Sequence, residues 1–374
     1  MSKFIIQPLR KTCKIEMKRR VDAMKRSTIS FKVVLPLEVG GESDKYPQKF
    51  SELGAGFVRQ HCATDGEFIA FARDADALIT VGSIQPVTRR VIENLERCRL
   101  ISNTQIGYDS IDIEAATERG ILVTNVRDYC FEEVSDHAMA LLLACARKIV
   151  QLNEAAKRGQ WGLSANGIEV QSQIWPKLWR LHGRTLGLLG LGKVGKTLVP
   201  KAQGFQLRVI AHDPYIPHEI ARQMGVEMVG WERLLRESDF LSVHAALTRE
   251  TKHILNTEAF KEMKTTACVI NTARGGLIDE TALYRALKER EIAMAALDVT
   301  DPEPPEPRSP LLAMDNVIIT AHSAFFSPTS EAERWHRPVE EVARVMRGEW
   351  PQALVNPQAR KKYMARWGAM KEPS

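Results

Sequence analysis

The chain has 374 residues, 44% of them hydrophobic and 26% charged, the balance of a globular protein large enough for two domains. No run of 18 apolar residues occurs, which argues against a membrane helix. The net charge of +6 would suit a nucleic-acid partner if it were spread over a folded face, but residues 1–30 carry nine Lys or Arg against only Glu16 and Asp22, about +7. From Phe31 onward the chain is close to neutral, so the folded part is not a nucleic-acid or membrane surface.

In chain order, residues 1–30 read as a disordered basic extension without the apolar core of a secretory signal. They are either a real arm or the product of a start set ahead of Met17 and Met24. From Phe31 short apolar runs alternate with amphipathic stretches. FKVVLPL, GFVRQHC, ALITVGS, LISNTQ and ILVTNV read as strands, and TDGEFIAFARDA, TRRVIENLERC and DIEAATERG as helices between them. Asp112 is placed to cap its helix and Gly120 to end it. A run from Val134 to Gly159, with AMALLLACA at its centre, reads as one long helix. A tryptophan-bearing polar stretch comes next, and then a second series: TLGLLGLG, LRVIAHD, FLSVHAAL, ACVINTA, AMAALDV and NVIITAH. Alternation of this kind predicts α/β architecture with parallel sheets and helices on both faces. The expected fold is two doubly wound domains, a Rossmann domain inserted in a discontinuous flavodoxin-like domain. The boundaries read as 31–129 and 326–356 for the discontinuous domain, 130–325 for the Rossmann domain and 357–374 for a basic C-terminal tail.

GLGKVG, Gly190 to Gly195, follows an apolar strand and opens a helical run. In this context Gly190 serves a tight turn, Gly192 lets a pyrophosphate approach the backbone, and Gly195 allows close helix packing. The helix start at Lys193 and Val194 supplies free amides for phosphates. Asp213 ends the next strand, where an acid accepts hydrogen bonds from ribose hydroxyls and repels a 2′-phosphate, so the expected cofactor is NAD. Three polar features then fall at the ends of later strands: Arg274 in NTARGG, the acidic and proline-rich DVTDPEPPEPRSPLL, and His322 in ITAHSAFFS. A guanidinium offers a planar fork for a carboxylate, and a histidine is suited to proton transfer.

These residues, with GYDSIDIEAATERGILVTN, EEVSDHAMALLLA, GRTLGLLGLGKVG, HAALTRETKHILN and NTARGGLIDETAL, resemble the D-isomer-specific 2-hydroxyacid dehydrogenase family, which includes phosphoglycerate dehydrogenase and the C-terminal-binding-protein corepressors. The resemblance covers residues from about Asp76 to His322 and implies an NAD-dependent oxidoreductase acting on the CH–OH group of a D-2-hydroxy acid. It implies Arg274, Glu303 and His322 as the catalytic set, Glu303 being the acid five residues after Asp298 and directly before a proline; Glu306 lies too far on. Arg274 would bind the substrate carboxylate, His322 would be the acid/base and Glu303 would hold His322. The resemblance also places Asp298 on the nicotinamide carboxamide and His244, Thr248, Thr272 and Ala273 along the cofactor. Ile106, Gly107 and Phe325 would face the substrate. Asn103 stands where the corepressors carry Arg, Gln105 where most members carry Gly, and Ala321 replaces a proline; Phe325 aligns with the corepressors' Trp and suggests an apolar or larger substrate side chain.

The six cysteines show no CxxC or metal-ligand spacing, so they fit packing in a reduced, cytoplasmic protein with no bound metal. His137, His212 and His253 read as capping, packing or solvent residues. Trp175 and Trp179 belong either to the core or to the interface of a homodimer formed through the NAD-binding domain. The partners expected are thus a small 2-keto or 2-hydroxy acid and a second copy of the chain. The alternative function is a corepressor-like NAD(H)-sensing scaffold that retains the fold.

Overall fold

A computed structural model describes residues 31–372 apart from Ser83; the basic extension of residues 1–30 lies outside the described residues. The chain divides into two compact units. One is Cys130–Ser330, and the other ends at Tyr129 and resumes at Glu331.

The first unit holds β1 (Lys32–Leu35), β2 (Gly56–Arg59), β3 (Ala77–Thr80), β4 (Leu100–Asn103) and β5 (Leu122–Thr124). All pair in parallel in the order β2-β1-β3-β4-β5, the flavodoxin-like arrangement. A parallel sheet is covered on both faces, and the strands obey this with a period of two. Val33, Leu35, Ala77, Ile79, Leu100 and Leu122 point into one apolar cluster; Val34, Leu78, Ile101 and Val123 point into the other. The three helices that follow β2, β3 and β4 start on short polar side chains. Thr64, Thr88 and Asp112 each accept the amide hydrogen three residues on, removing one unsatisfied donor per helix.

The C-terminal residues are not a tail. After a turn at Pro357–Ala359 they form a helix over Arg360–Trp367, with Tyr363 2% exposed in the first unit's core. The basic count obscured an aromatic pair at i, i+4 spacing. Several cations there are used as covers for rings: Arg360 lies 4.6 Å over Trp350, and Arg366 4.7 Å over Trp367. Gly120, at φ +65°, is where this helix lands, since a Cβ there would sit 2.8 Å from the Lys362 carbonyl carbon.

The second unit holds β6 (Thr185–Leu189), β7 (Arg208–His212), β8 (Glu227–Met228), β9 (Phe240–Val243), β10 (Cys268–Asn271), β11 (Met294–Leu297) and β12 (Val317–Ile319). Their order, β12-β11-β10-β9-β6-β7-β8, is the Rossmann order extended by one strand. Six of these match the apolar runs read from sequence. The two-residue β8 is too short to leave a periodic pattern. The expected single long helix is two, Phe131–Arg147 and Ile149–Lys157, because Lys148 turns to φ +52°. Its side chain folds into the core, with Nζ beside Met294 Sδ and 5.1 Å over the Trp179 ring. Trp179 packs on the core, whereas Trp175 is 39% exposed. The last residues before Glu331 stay with the second unit a little longer than the 326 boundary read from sequence. Ser330 Oγ donates to the Phe325 carbonyl at 2.7 Å and accepts the Ser327 amide at 2.8 Å.

Candidate active site

At the end of β6 the chain turns through Gly190 at φ +95°, where a Cβ would lie 2.8 Å from the amide nitrogen of Ala245. No L side chain fits this position. Gly195 sits against the same turn, its would-be Cβ 2.7 Å from the Gly190 carbonyl oxygen, which sets the helix Lys193–Gly204 directly on it. Gly192 caps that helix without a side-chain hydrogen bond, and a Cβ there would meet nothing within 4 Å. The amides of the first turn, through Lys193, Val194 and Gly195, have no acceptor within the helix. Lys193 is exposed, its Nζ 4.9 Å over the Phe131 ring. Asp213 closes the turn: Oδ2 accepts from the Leu191 amide at 2.8 Å and Oδ1 from the Tyr215 amide at 2.9 Å, and each oxygen keeps a lone pair.

Thr272 adds a further indication. It is 8% exposed at the end of β10 and its Oγ1 has no hydrogen-bond partner among the described residues. A buried hydroxyl left unpaired costs free energy unless a ligand satisfies it. Beside it, Ala273 donates its amide to Asn271 Oδ1 at 3.0 Å, and Asn271 Nδ2 donates to the Arg274 carbonyl at 2.8 Å. Asn271, fully buried and given no role by the sequence reading, therefore shapes the turn that carries Arg274. Open space at Gly192, free helix amides, a turn-closing carboxylate and an orphaned hydroxyl together fit a bound dinucleotide.

His244 directly follows β9, with its ring nitrogen Nε2 2.8 Å from Ser242 Oγ. Burial pushes its imidazole down to about 4. An unfolded histidine titrates near 6.5, so between these values the unfolded chain binds a proton that the folded one refuses. Stability from this site is thus present above pH 6.5 and lost as pH falls towards 4, by on the order of 3 kcal/mol at most. Thermal unfolding of the ligand-free protein at pH 7 and 4.5 should show a smaller drop for His244→Gln than for the wild type. Equal drops would exclude His244 as the source. Thr248 lies in an exposed turn, its amide donating to Thr251 Oγ1 at 2.7 Å.

The three strand-end groups come together at adjacent strands. Gly275 has no room for a side chain, since a Cβ would lie 2.1 Å from the Thr300 carbonyl, so the Arg274 turn lies directly against the acidic loop. Arg274 Nη1 donates to the Ala273 carbonyl at 2.7 Å. Within that loop Thr300 Oγ1 donates to the Pro302 carbonyl at 2.9 Å, and the Thr300 amide donates to Glu303 Oε1 at 3.3 Å. Glu303 Oε2 lies 2.7 Å from His322 Nδ1. Phe325 stands edge-on to His322, ring centroids 6.2 Å apart. Asp298 is tied to the residues that follow β12. Its carboxylate is 1% exposed, accepts from Thr320 Oγ1, and accepts from the amides of Ser323 and Ala324 at 2.9 Å each.

The first unit carries Ile106 and Gly107 in a loop after β4. The Gln105 carbonyl accepts from the Val126 amide at 3.1 Å, the Ile106 carbonyl from Asn125 Nδ2 at 2.7 Å, and the Gly107 carbonyl from Asn103 Nδ2 at 2.6 Å. With three successive carbonyls held inward, the Ile106 and Gly107 amides are left without a protein acceptor among the described residues. Asn103 is itself fully buried, a role no sequence signal disclosed.

A Rossmann sheet with a glycine turn closed by an acid, and with Arg274 and a Glu303–His322 pair beyond its carboxyl edge, has the make-up of an NAD-dependent oxidoreductase. Residues 139–324 match the family model of the D-isomer specific 2-hydroxyacid dehydrogenase NAD-binding domain. The chain is 43% identical over 297 residues, 78% of its length, to the D-3-phosphoglycerate dehydrogenase of Methanocaldococcus jannaschii, but spans only 54% of that enzyme. It is 37% identical to the glyoxylate reductase of Korarchaeum cryptofilum, over 76% of this chain and 83% of that one. Its structure resembles D-lactate dehydrogenase from Escherichia coli with a TM-score of 0.71 and 28% identity, over 87% of this chain and 99% of that one. The chain belongs to the D-isomer-specific 2-hydroxyacid dehydrogenase family, with NAD as cofactor. The named relatives are dehydrogenases and reductases, which weighs against the corepressor-like scaffold.

Proposed function

We propose that the protein interconverts a 2-keto acid and a D-2-hydroxy acid, with His322 as the acid/base, Glu303 holding it and Arg274 binding the substrate carboxylate. The observation that carries this reading is the contact of His322 Nδ1 with Glu303 Oε2 at 2.7 Å across 19 residues of sequence, on the strand ends next to Arg274. A carboxylate accepts from Nδ1, so Nε2 is left to give a proton to a carbonyl oxygen or take one from a hydroxyl. Glu303 also stabilises the imidazolium that forms during oxidation. NAD(H), when bound, supplies or accepts the hydride at substrate C2. The first-turn amides at Lys193, Val194 and Gly195 would hold its phosphates, Asp213 its ribose, and Thr272, Ala273, His244 and Thr248 would line the rest. Asp298 acts mainly through the loop it ties down.

The amides of Ile106 and Gly107 offer donors for a carboxylate. Residues 103–112 contain Asp109 and Asp112 and no Lys or Arg, so this loop brings no cation for a second anionic group. Phe325 adds an apolar wall beside His322. Monoanionic 2-keto acids with apolar side chains therefore suit the residues better than phosphorylated ones. NADH oxidation should be measured with glyoxylate, pyruvate, phenylpyruvate and 3-phosphohydroxypyruvate. The phosphorylated acid should be the poorest, and Phe325→Ala should raise KM for phenylpyruvate more than for glyoxylate. Equal effects on those two would remove Phe325 from the pocket. Tight NADH binding with no turnover on any of the four would favour the scaffold.

Trp161, Leu163, Ile168 and Trp175 are exposed in one segment of the second unit, Leu163 at 88%. Apolar exposure on this scale favours burial against another chain, and the occupant we assign is a second copy. Sedimentation should give a dimer, and the double variant Leu163→Glu, Ile168→Glu a monomer; a wild-type monomer at micromolar concentration would overturn this. Cys62, Cys98, Cys145 and Cys268 are buried and in no disulfide, which supports placement in the reducing cytoplasm. No described helix is long and apolar enough to cross a membrane.

A further inference from the structure

One histidine outside the catalytic group is linked to it by a chain of hydrogen bonds. His137, on the helix Phe131–Arg147, places Nε2 3.0 Å from Thr320 Oγ1 and 3.5 Å from Asp298 Oδ1. Thr320 has a single hydroxyl proton and gives it to Asp298 Oδ1, so towards His137 it can only accept. Nε2 of His137 must then carry a hydrogen. Asp298 is 1% exposed, and His137 is its only ionisable partner among the described residues. A carboxylate so far from water needs every donor it has.

What Asp298 does with its charge is set the backbone around His322. Its main-chain oxygen accepts the His322 amide at 2.8 Å, while its carboxylate accepts the next two amides, Ser323 and Ala324, at 2.9 Å each. Three successive peptide groups thus hang on one residue, and His322 itself is held at φ +49°. Side chains other than glycine rarely rest in that region unless their surroundings impose it. The direction of the His322 ring towards Glu303 depends on this backbone.

We infer that His137 is a positioning residue: through Thr320 it keeps Asp298 in place as the anchor of the His322 loop. In sequence it reads as a capping, packing or solvent residue, because its partners lie more than 160 positions away. The inference rests on His322 being the acid/base group of the proposed reaction, and the test separates the two.

His137→Leu should lower kcat by on the order of tenfold to a hundredfold, the scale of a small misplacement of a reacting group, with little change in KM for NADH. His137→Gln keeps an N–H donor at similar reach and should restore most of the loss, which a role in bulk packing would not predict. Thr320→Val should resemble His137→Leu, and the double variant should be no worse than the poorer single, since both break one chain. A kcat for His137→Leu within twofold of wild type, or a glutamine variant as poor as leucine, would overturn the inference. Should the leucine variant fail to fold, Thr320→Val decides by the same criterion. A wild type that turns over no 2-keto acid would count against the proposed reaction instead. In that case the NMR shifts of the His322 ring decide: displacement in Thr320→Val supports the chain, and unchanged shifts overturn it.

Discussion

His322→Asn should reduce kcat by roughly 10³-fold to 10⁴-fold, the upper range for losing a positioned acid/base, while NADH affinity stays within about threefold, in keeping with loss of a transition-state interaction alone. Asparagine is chosen because His322 sits at φ +49°, a region asparagine tolerates better than most side chains. It keeps the backbone ties to Asp298 and removes only the proton transfer. Steady-state NADH oxidation gives kcat, and quenching of protein fluorescence gives the NADH affinity. A loss under tenfold would place the acid/base elsewhere. Glu303→Gln should fall between that variant and the wild type, since the amide still reaches Nδ1 without the charge that balances the imidazolium. Glu306→Gln is the control within the same loop and should behave as wild type.

Arg274→Lys is the second large effect. Lysine keeps the charge and loses the planar fork, so one charge-assisted hydrogen bond to the substrate carboxylate disappears. At about 3 kcal/mol for such a bond, kcat/KM should drop on the order of a hundredfold. Arg274→Met, which loses the charge as well, should be worse still. The loss should fall mainly on KM for the keto acid and not on KM for NADH. A lysine variant with wild-type KM for the acid would mean that Arg274 serves the fold. That alternative has a physical basis, because Nη1 already donates to the Ala273 carbonyl at 2.7 Å.

The order of the elements was legible because each carries its own signal. A parallel strand within a covered sheet is a short, mostly apolar run, and eleven of the twelve strands, three to five residues long, were read from such runs. Thr64, Thr88 and Asp112 cap helices within three residues of themselves. Gly190 and Gly195 meet across one turn. Where both partners of an interaction lie in one short segment, residue type and spacing suffice. The one strand that escaped, β8, has two residues and therefore no period.

Arg274, Glu303 and His322 were found through a family resemblance; their spacing alone would have left Glu303 and Glu306 competing in a proline-rich loop. What separates the two acids is the contact to His322, which exists only after β11 and β12 are paired. The same holds for the inward turn of Lys148, the tie of Asn125 to the Ile106 carbonyl, Arg360 over Trp350, and the chain from His137 to Asp298. Each is a polar side chain whose partner is set by which strands and helices become neighbours. Local periodicity states which face of an element is buried, and so the chain alone yields two wound sheets and a nucleotide turn. It does not state what polar group waits on the other side, because a hydrogen bond between distant residues leaves no mark on the spacing of either one.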